Sequence, residues 1–382
     1  MLRTRVLGCE DGPSTWDSDL LDPWRALADR DPLASPFQTP EWQVVWYRFF
    51  GRGRRPAVWT LWDGPDLVGL MPFVRSAGGW RTLRPMGCGP SDYLQPLAEP
   101  SRSVEVYEEL AEFLCSRTDV DLVDWQQLRA THPFVRTWFD RPSTIGGVGP
   151  SSFRQADCLV LDLPDSFDEY RRRLSKSLRY DIGRLDRHPD RYVVRQAVGD
   201  EVGPALEVFF DTHARRWRRR GLPGAFVGRR MRRFHEEWAA AADKRGLLRL
   251  SVLEVDGEPV GAVYAMRTQS TTFFYQSGFD PRHRSVSPGS LLVAAAIRRA
   301  VEDGCRSFDF LRGDEPYKRR WGPQHSIPNL RILAPTGGTL GRLGRSVNKF
   351  GFAVEKRIRS RLEGRSLWRA SSRARSDDRS RR

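Results

Sequence analysis

The residues best suited to chemistry fall in two stretches of the second half of the chain. The first runs from Thr271 through Tyr275, Gln276, Ser277 and Gly278 to Pro281, then on through Arg284 to Ser290, where an apolar run begins. A strand that enters a loop of small residues and then a helix presents unpaired backbone N–H groups at the positive end of a dipole, which suits phosphate. Gly289 lets the backbone approach a ligand, Pro288 fixes the start of the helix, and Ser287 and Ser290 bring hydroxyls. Ser290 can cap the helix or donate its hydroxyl, and Arg284 adds a permanent charge. Ordinary helix capping would use the same Ser-Pro-Gly-Ser. The second stretch runs from Asp309 through Arg312, Gly313, Asp314 and Glu315 to Tyr317, Lys318 and Trp321. Tyr317 can give a proton to a leaving group, Glu315 can take one, and Lys318 can stabilise a developing oxyanion. A salt-bridged surface turn has the same composition. Both loops leave strands at their carboxyl ends, where the ligand sites of open α/β sheets gather.

The elements that must hold these loops alternate between strand and helix patterns, so the fold class is α/β with mixed sheets. In the first half, Arg3 to Leu7 reads as a strand and Trp16 to Ala28 as a helix. Pro40 precedes a helix with Trp42, Val45, Trp46 and Phe49 on one face. Val58 to Trp62 and Leu67 to Val74 form a hairpin across Asp63 and Gly64, followed by a helix from Ser103 to Ser116 and a strand from Val120 to Leu128. The second half repeats this order. Helices cover Gly203 to Arg219 and Arg229 to Lys244, and a hairpin joins Arg249–Val255 to Pro259–Met266 across Asp256 and Gly257. A strand at Thr271 to Phe279, a helix at Ser290 to Glu302 and a strand at Ser307 to Leu311 complete it. Asp63 and Gly69 recur as Asp256 and Gly261, at offsets of 193 and 192; Val123-Asp124-Trp125 recurs as Phe308-Asp309-Phe310 at 185. Such spacings indicate a duplicated domain, because solenoid repeats have periods of about 20–50 residues. Between the halves, Phe167 to Arg187 reads as one Arg-rich helix: a solvated face, or an anion-facing wall.

Composition excludes several classes. Five scattered cysteines without a CxxC pair argue against a disulfide framework and a zinc site. No apolar run approaches the ~20 residues of a membrane-spanning helix, and the amino terminus lacks a signal-peptide pattern. The net charge of +15 is concentrated in the tail. From Leu340 to Arg382 fourteen Lys and Arg face four Asp and Glu, a net of +10, which leaves +5 for the preceding 339 residues. Leu343, Val347, Phe350, Val354, Ile358 and Leu362 mark one face of a tail helix. It either docks on the protein or lies on an anionic membrane surface.

The run from Arg284 to Gly289 resembles the R-x-x-G-x-G/A pyrophosphate loop of GNAT acyltransferases, with Ser287 in place of the first glycine. Trp217-Arg-Arg-Arg-Gly221, Asp256 to Gly261, Tyr275 to Gly278, Ser287 to Gly289, and Asp309 to Trp321 occur in series. That series resembles the tandem-GNAT family of BioF2-like and cellulose-biosynthesis (CelD-type) acetyltransferases, relatives of the Fem peptidyl transferases. Asp92 and Tyr93, after Gly87 and Ser91, fit a signature of that family's first half. The resemblance covers roughly Phe37 to Trp321.

It implies two GNAT-like lobes facing a shared cleft, with domains at 1–155 (acceptor side), 156–338 (donor side) and a basic tail at 339–382. The implied reaction is transfer of an acyl group, acetyl above all, from acyl-CoA to an amine, with no metal. Arg284, Ser287, Gly289 and Ser290 would hold the donor; Lys318, Tyr317 and Glu315 would act on the reacting groups. Asp92, Tyr93, Arg179, Tyr275, Gln276, Asp309 and Arg312 would face the substrates. The acceptor would be a small metabolite or a cell-envelope or polysaccharide precursor. The first half lacks the phosphate loop at Arg84 to Pro90, so a single donor site is expected. Two other readings remain open: a Fem-like transferase using aminoacyl-tRNA, in which the lysine matching Lys318 stabilises the transition state, and a non-catalytic partner in polysaccharide synthesis. The expected location is the cytoplasm, with the tail at the inner face of the membrane.

Overall fold

The computed structural model describes residues 2–8, 16–76, 81–141, 149–219 and 221–336. The tail helix expected beyond 339 lies outside the described residues. The first half contains β1 (Leu2–Gly8), α1 (Ser18–Arg30), α2 (Pro40–Phe50), β2 (Arg54–Asp63), β3 (Asp66–Ser76), β4 (Thr82–Pro85), β5 (Leu97–Ala98), α3 (Ser103–Cys115), β6 (Leu122–Arg129) and α4 (Pro133–Asp140). Then come β7 (Ser151–Asp162), α5 (Phe167–Arg173), α6 (Lys176–Arg187), β8 (Tyr192–Gln196), α7 (Val202–Arg219), α8 (Arg229–Lys244), β9 (Leu248–Val255) and β10 (Glu258–Arg267). β11 (Thr271–Phe279), α9 (Pro288–Glu302), β12 (Ser307–Arg312), α10 (Pro316–Arg319) and β13 (His325–Pro335) end the described chain.

The duplication is visible in the pairing. Each half has an antiparallel hairpin, β2–β3 and β9–β10, and each has one parallel contact, β4 with β6 and β11 with β12. The repeated glycines are both closely packed. A Cβ at Gly69 would lie 2.6 Å from Val106 of α3, and one at Gly261 would lie 3.1 Å from Leu292 of α9. At Gly69 the missing Cβ makes room for the helix, and at Gly261 it makes room above all for the β11 backbone, whose Gly278 carbonyl would lie 2.7 Å away.

The two halves exchange strands. The sheet order is β1-β2-β3-β4-β6-β13-β7-β12-β11-β10-β9-β8, with β5 beside β3. β7 leaves the first half to pair with β12 of the second, and β13 returns from the end of the second to pair with β6 of the first. The two exchanged strands also pair with each other from His325↔Val160 to Leu333↔Ser151. The sequence-based boundary at 155/156 thus falls inside β7. An aromatic core joins the halves as well: Trp42 of α2 packs edge-on against Phe234 and Trp238 of α8, with ring centroids 5.0 Å apart in both cases. The Arg-rich segment read as one helix is two. Leu174 is extended, and the Ser175 hydroxyl accepts the Leu178 N–H to start α6 afresh.

Buried charge crosses the same junction. Asp124 on β6 is fully buried and accepts two hydrogen bonds from Arg331 of β13, at 2.6 and 2.8 Å, plus one from Arg84 at 2.8 Å. Its repeat partner Asp309 on β12 pairs with Arg129, the last residue of β6, at 3.1 Å. Each half therefore satisfies the other's buried carboxylate. Replacing Arg331 by Met should cost about 3 kcal/mol, the low end of the ~3–5 kcal/mol for breaking a buried pair, since Arg84 remains. Urea unfolding followed by two probes should show both halves losing stability in one transition. A change confined to one half would show that β13 does not couple them.

Candidate functional site

β11 and β12 run in register only from Thr271–Phe273 against Ser307–Asp309. Beyond Phe273, β11 continues to Phe279 with β10 alone beside it. Next to this open edge lies a cleft of about 250 Å³. It brings together Arg284, Ser287, Gly289 and Ser290 of the first predicted stretch and Tyr317 of the second. Two loops 30 residues apart in sequence thus meet at one place.

The turn before α9 is firmly built. Asp280 accepts from the Arg282 backbone N–H at 2.9 Å and from the side chains of Arg282 and Arg215 at 2.8 and 2.7 Å. The Arg282 side chain, the largest influence, holds this carboxyl well below the usual carboxylate range. Ser287 occupies the cap position of α9 in a left-handed conformation, φ 55°, and its side chain makes no capping bond. This is where the resembled loop has glycine, and a non-glycine residue there carries a cost of ~1–2 kcal/mol. Ser290, which could cap the helix or donate its hydroxyl, sits in the first helical turn. Pro288 takes the first helical position, where its missing N–H and fixed φ are harmless. Behind Gly289, a Cβ would meet the Phe279 ring at 3.2 Å.

Sequence reasoning missed part of the wall. Arg216, Ser277, Phe279 and Arg320 also line the cleft, together with apolar Leu178, Val293 and Trp321. Arg216 donates to the Ser277 carbonyl at 3.2 Å and lies 5.2 Å over the Phe279 ring. A signal was present: Arg216 stands seven residues after buried Phe209, so an arginine interrupts the apolar stripe of α7. No Asp or Glu is among the described residues lining the cleft. Three guanidinium groups and a helix start at one wall, with apolar side chains beside them, suit an amphipathic anion.

The remaining predicted residues lie elsewhere. Asp92, Tyr93 and Asp309 are buried and bind one another's neighbours rather than facing solvent. The Tyr93 hydroxyl donates to Asp309 at 2.7 Å, and Arg129 lies 3.8 Å over the Tyr93 ring. Burial pushes the Tyr93 phenol far up and raises the Asp309 carboxyl against the pull of Arg129. Arg312 pairs with Asp92 and donates to the carbonyls of Gly89 and Ser91 at 2.9 and 2.8 Å. Tyr275 donates to the Pro90 carbonyl at 3.0 Å, and half-buried Gln276 sits opposite Tyr264 in the β10 register. These groups stitch the first-half loop around Gly87–Tyr93 to the back of β11 and β12. Arg179 is exposed on α6 and donates to the Arg172 carbonyl at 3.3 Å; its neighbour Leu178 is the cleft residue. Lys318 is buried, with its ammonium on the carbonyls of Arg312 and Gly313 at 2.7 and 3.2 Å and on Glu315 at 2.9 Å. The ammonium thus donates two hydrogen bonds into the turn after β12 and forms an ion pair with Glu315. Glu315, its partner, is exposed and outside the cleft wall. At the corresponding place in the first half, Arg84 binds Asp124, and Gly87 is packed against Leu94, Gln43 and Ser91. Among the described residues, no group of His, Cys, Asp and Glu could hold a metal ion.

Residues 171–319 match the family model described as acetyltransferase (GNAT) domain. No curated protein matches the chain. Among solved structures, FemX aligns at 9% identity over 83% of this chain and 94% of its own, with a TM-score of 0.57. The C-terminal domain of a putative lysylphosphatidylglycerol synthetase from Agrobacterium fabrum aligns at 13% over 85% and 94%, with a TM-score of 0.53. A conserved protein of unknown function from Bacteroides thetaiotaomicron aligns at 12% over 82% and 96%, with a TM-score of 0.54. At these identities the structural likeness shows a shared GNAT-like fold, and the family match supports an acyltransferase.

Gly289→Ala tests the ligand-facing turn. The Phe279 ring can yield a few tenths of an ångström, so the fold should survive with little change in melting temperature. Coenzyme A affinity, measured calorimetrically, should drop about tenfold, or ~1.4 kcal/mol. Unchanged affinity in the folded variant would remove this turn from the binding surface.

Proposed function

We propose that the protein transfers an acyl group, acetyl above all, from a coenzyme A thioester to an amine. The observation that carries this reading is the meeting of the α9 start, with Arg284, Ser287, Gly289 and Ser290, and the Tyr317 phenol in one cleft. The phosphates of the donor lie at the helix start and its arginines, and the pantetheine arm follows the apolar wall beside β11. The amine attacks the thioester carbonyl, so a C–N bond forms and the C–S bond breaks. Tyr317 gives its proton to the departing thiolate and regains one from solvent, which takes the proton the amine loses. A backbone N–H on the open edge of β11 stabilises the oxyanion, while the Lys318 ammonium holds the Arg312 and Gly313 carbonyls. Within this reading the acceptor is a small amine or the amine of a cell-envelope or polysaccharide precursor, as the tandem-GNAT resemblance implies.

One feature favours a second donor, aminoacyl-tRNA. Arg172, Lys176, Arg179 and Arg187 of α5 and α6 are exposed, and Tyr180 among them is 62% exposed. Basic side chains around an open aromatic ring suit nucleic acid. Titration with acyl-CoAs and with charged tRNA separates the readings, since only the RNA-dependent activity falls steeply with salt. A chain that binds neither is a non-catalytic partner.

Tyr317→Phe should lower kcat by ~10²–10⁴-fold while donor Kd stays within about twofold, because the proton moves only in the transition state. Steady-state kinetics paired with direct coenzyme A titration makes the comparison. Wild-type turnover in this variant would take proton donation away from Tyr317.

A further inference from the structure

We infer that Lys318 is a positioning residue through which the first half of the chain sets the shape of the cleft in the second. This rests on the donor reading above. Lys318, 3% exposed as a residue, ties the carbonyls of Arg312 and Gly313 to Glu315 through its ammonium and so fixes the turn that leads from β12 into α10. Tyr317 and Arg320, one residue before it and two after, stand on the cleft wall. Gly313 makes the tight turn possible: its φ is 109°, and a Cβ there would sit 2.5 Å from the Glu315 carboxylate. The same turn is held from the other side. Arg312, whose carbonyl Lys318 binds, anchors its guanidinium on Asp92 and on the carbonyls of Gly89 and Ser91, all from the first half. Its backbone N–H also donates to Asp92 at 3.2 Å, and the Gly313 N–H donates to the Asp157 carbonyl at 2.8 Å.

A chain of polar contacts therefore runs from the Gly89–Asp92 loop through Arg312 and Lys318 to the loop bearing Tyr317. Its chemical consequence is distinct from that of a lysine acting on the reacting carbonyl. A catalytic lysine changes kcat and leaves donor affinity alone; a positioning lysine changes donor affinity, because it places the wall that the donor touches.

The experiment uses the full chain with Lys318→Met, Asp92→Asn and the double variant, each titrated with coenzyme A and followed kinetically. Each single variant should weaken coenzyme A binding about tenfold and raise donor KM in step. The double variant should be little worse than the weaker single, since both cut one chain of contacts. Amide exchange over 313–321 should quicken in both single variants, with β9 and β10 unchanged. Should Lys318→Met fail to fold, Asp92→Asn carries the same expectations alone. Wild-type coenzyme A affinity with collapsed kcat in Lys318→Met, or unaltered exchange over 313–321, overturns the inference. If the wild-type protein binds no coenzyme A, the donor reading falls, and amide exchange still decides the role of Lys318.

Discussion

The architecture turns on two buried carboxylates that each draw an arginine from the other half. Asp124 and Asp309 occupy equivalent places on β6 and β12, in the strands that pair in parallel with β4 and β11. Both are fully buried, and a buried carboxylate is strongly unfavourable unless it is paired and hydrogen-bonded. Asp124 draws Arg331 from the last strand of the chain, and Asp309 draws Arg129 and Tyr93 from the first half. The strand exchange of β7 and β13 is the backbone counterpart of this reciprocity. The two GNAT-like halves are thereby tied to each other through shared ion pairs.

The same constraint gives the halves different work. In the second half the strand bearing Asp309 bulges immediately afterwards, with Leu311 at φ 55°, and its end swings away from β11. The first half shows the matching feature at Gln127, φ 60°, in β6. Where the second half opens into a cleft with helix start, arginines and phenol, the corresponding turn of the first half is packed with its own side chains. Trp42 donates to Ser91 at 2.8 Å, and Ser91 donates to the Gly87 carbonyl at 2.7 Å. The Gly87–Tyr93 loop of the first half is thus pressed against β11 and β12.

Burial near the junction holds several ionisable groups in their neutral forms. His213 and His235, behind β11, are buried, and desolvation holds their imidazoles down to about 3, so they remain neutral at physiological pH. Tyr264 and Tyr275 are pushed up by the same burial. His235 spans these two phenols at 3.3 and 3.5 Å, as a neutral spacer in an aromatic wall.

The sequence by itself determined the local grammar: the two Asp-Gly hairpins, the glycines under α3 and α9, the duplicated Asp strands, and the small-residue loop that starts α9. These are short-range signals, fixed by turn conformation, side-chain period and the space a missing Cβ leaves. It also named five residues of the cleft, because backbone N–H groups at a helix start and a phenol after a strand end announce themselves by spacing. Only the tertiary structure decided the rest. β13 carries Pro328 and alternates weakly, so nothing local marks it as a strand that bridges both halves. Asp92, Arg312 and Lys318 have the residue types of a site, yet the packing of the two halves turns them inward onto one another. Whether a charged side chain meets a ligand or a neighbour depends on what the fold brings within 3 Å of it, and that distance is set by contacts some 220 residues apart.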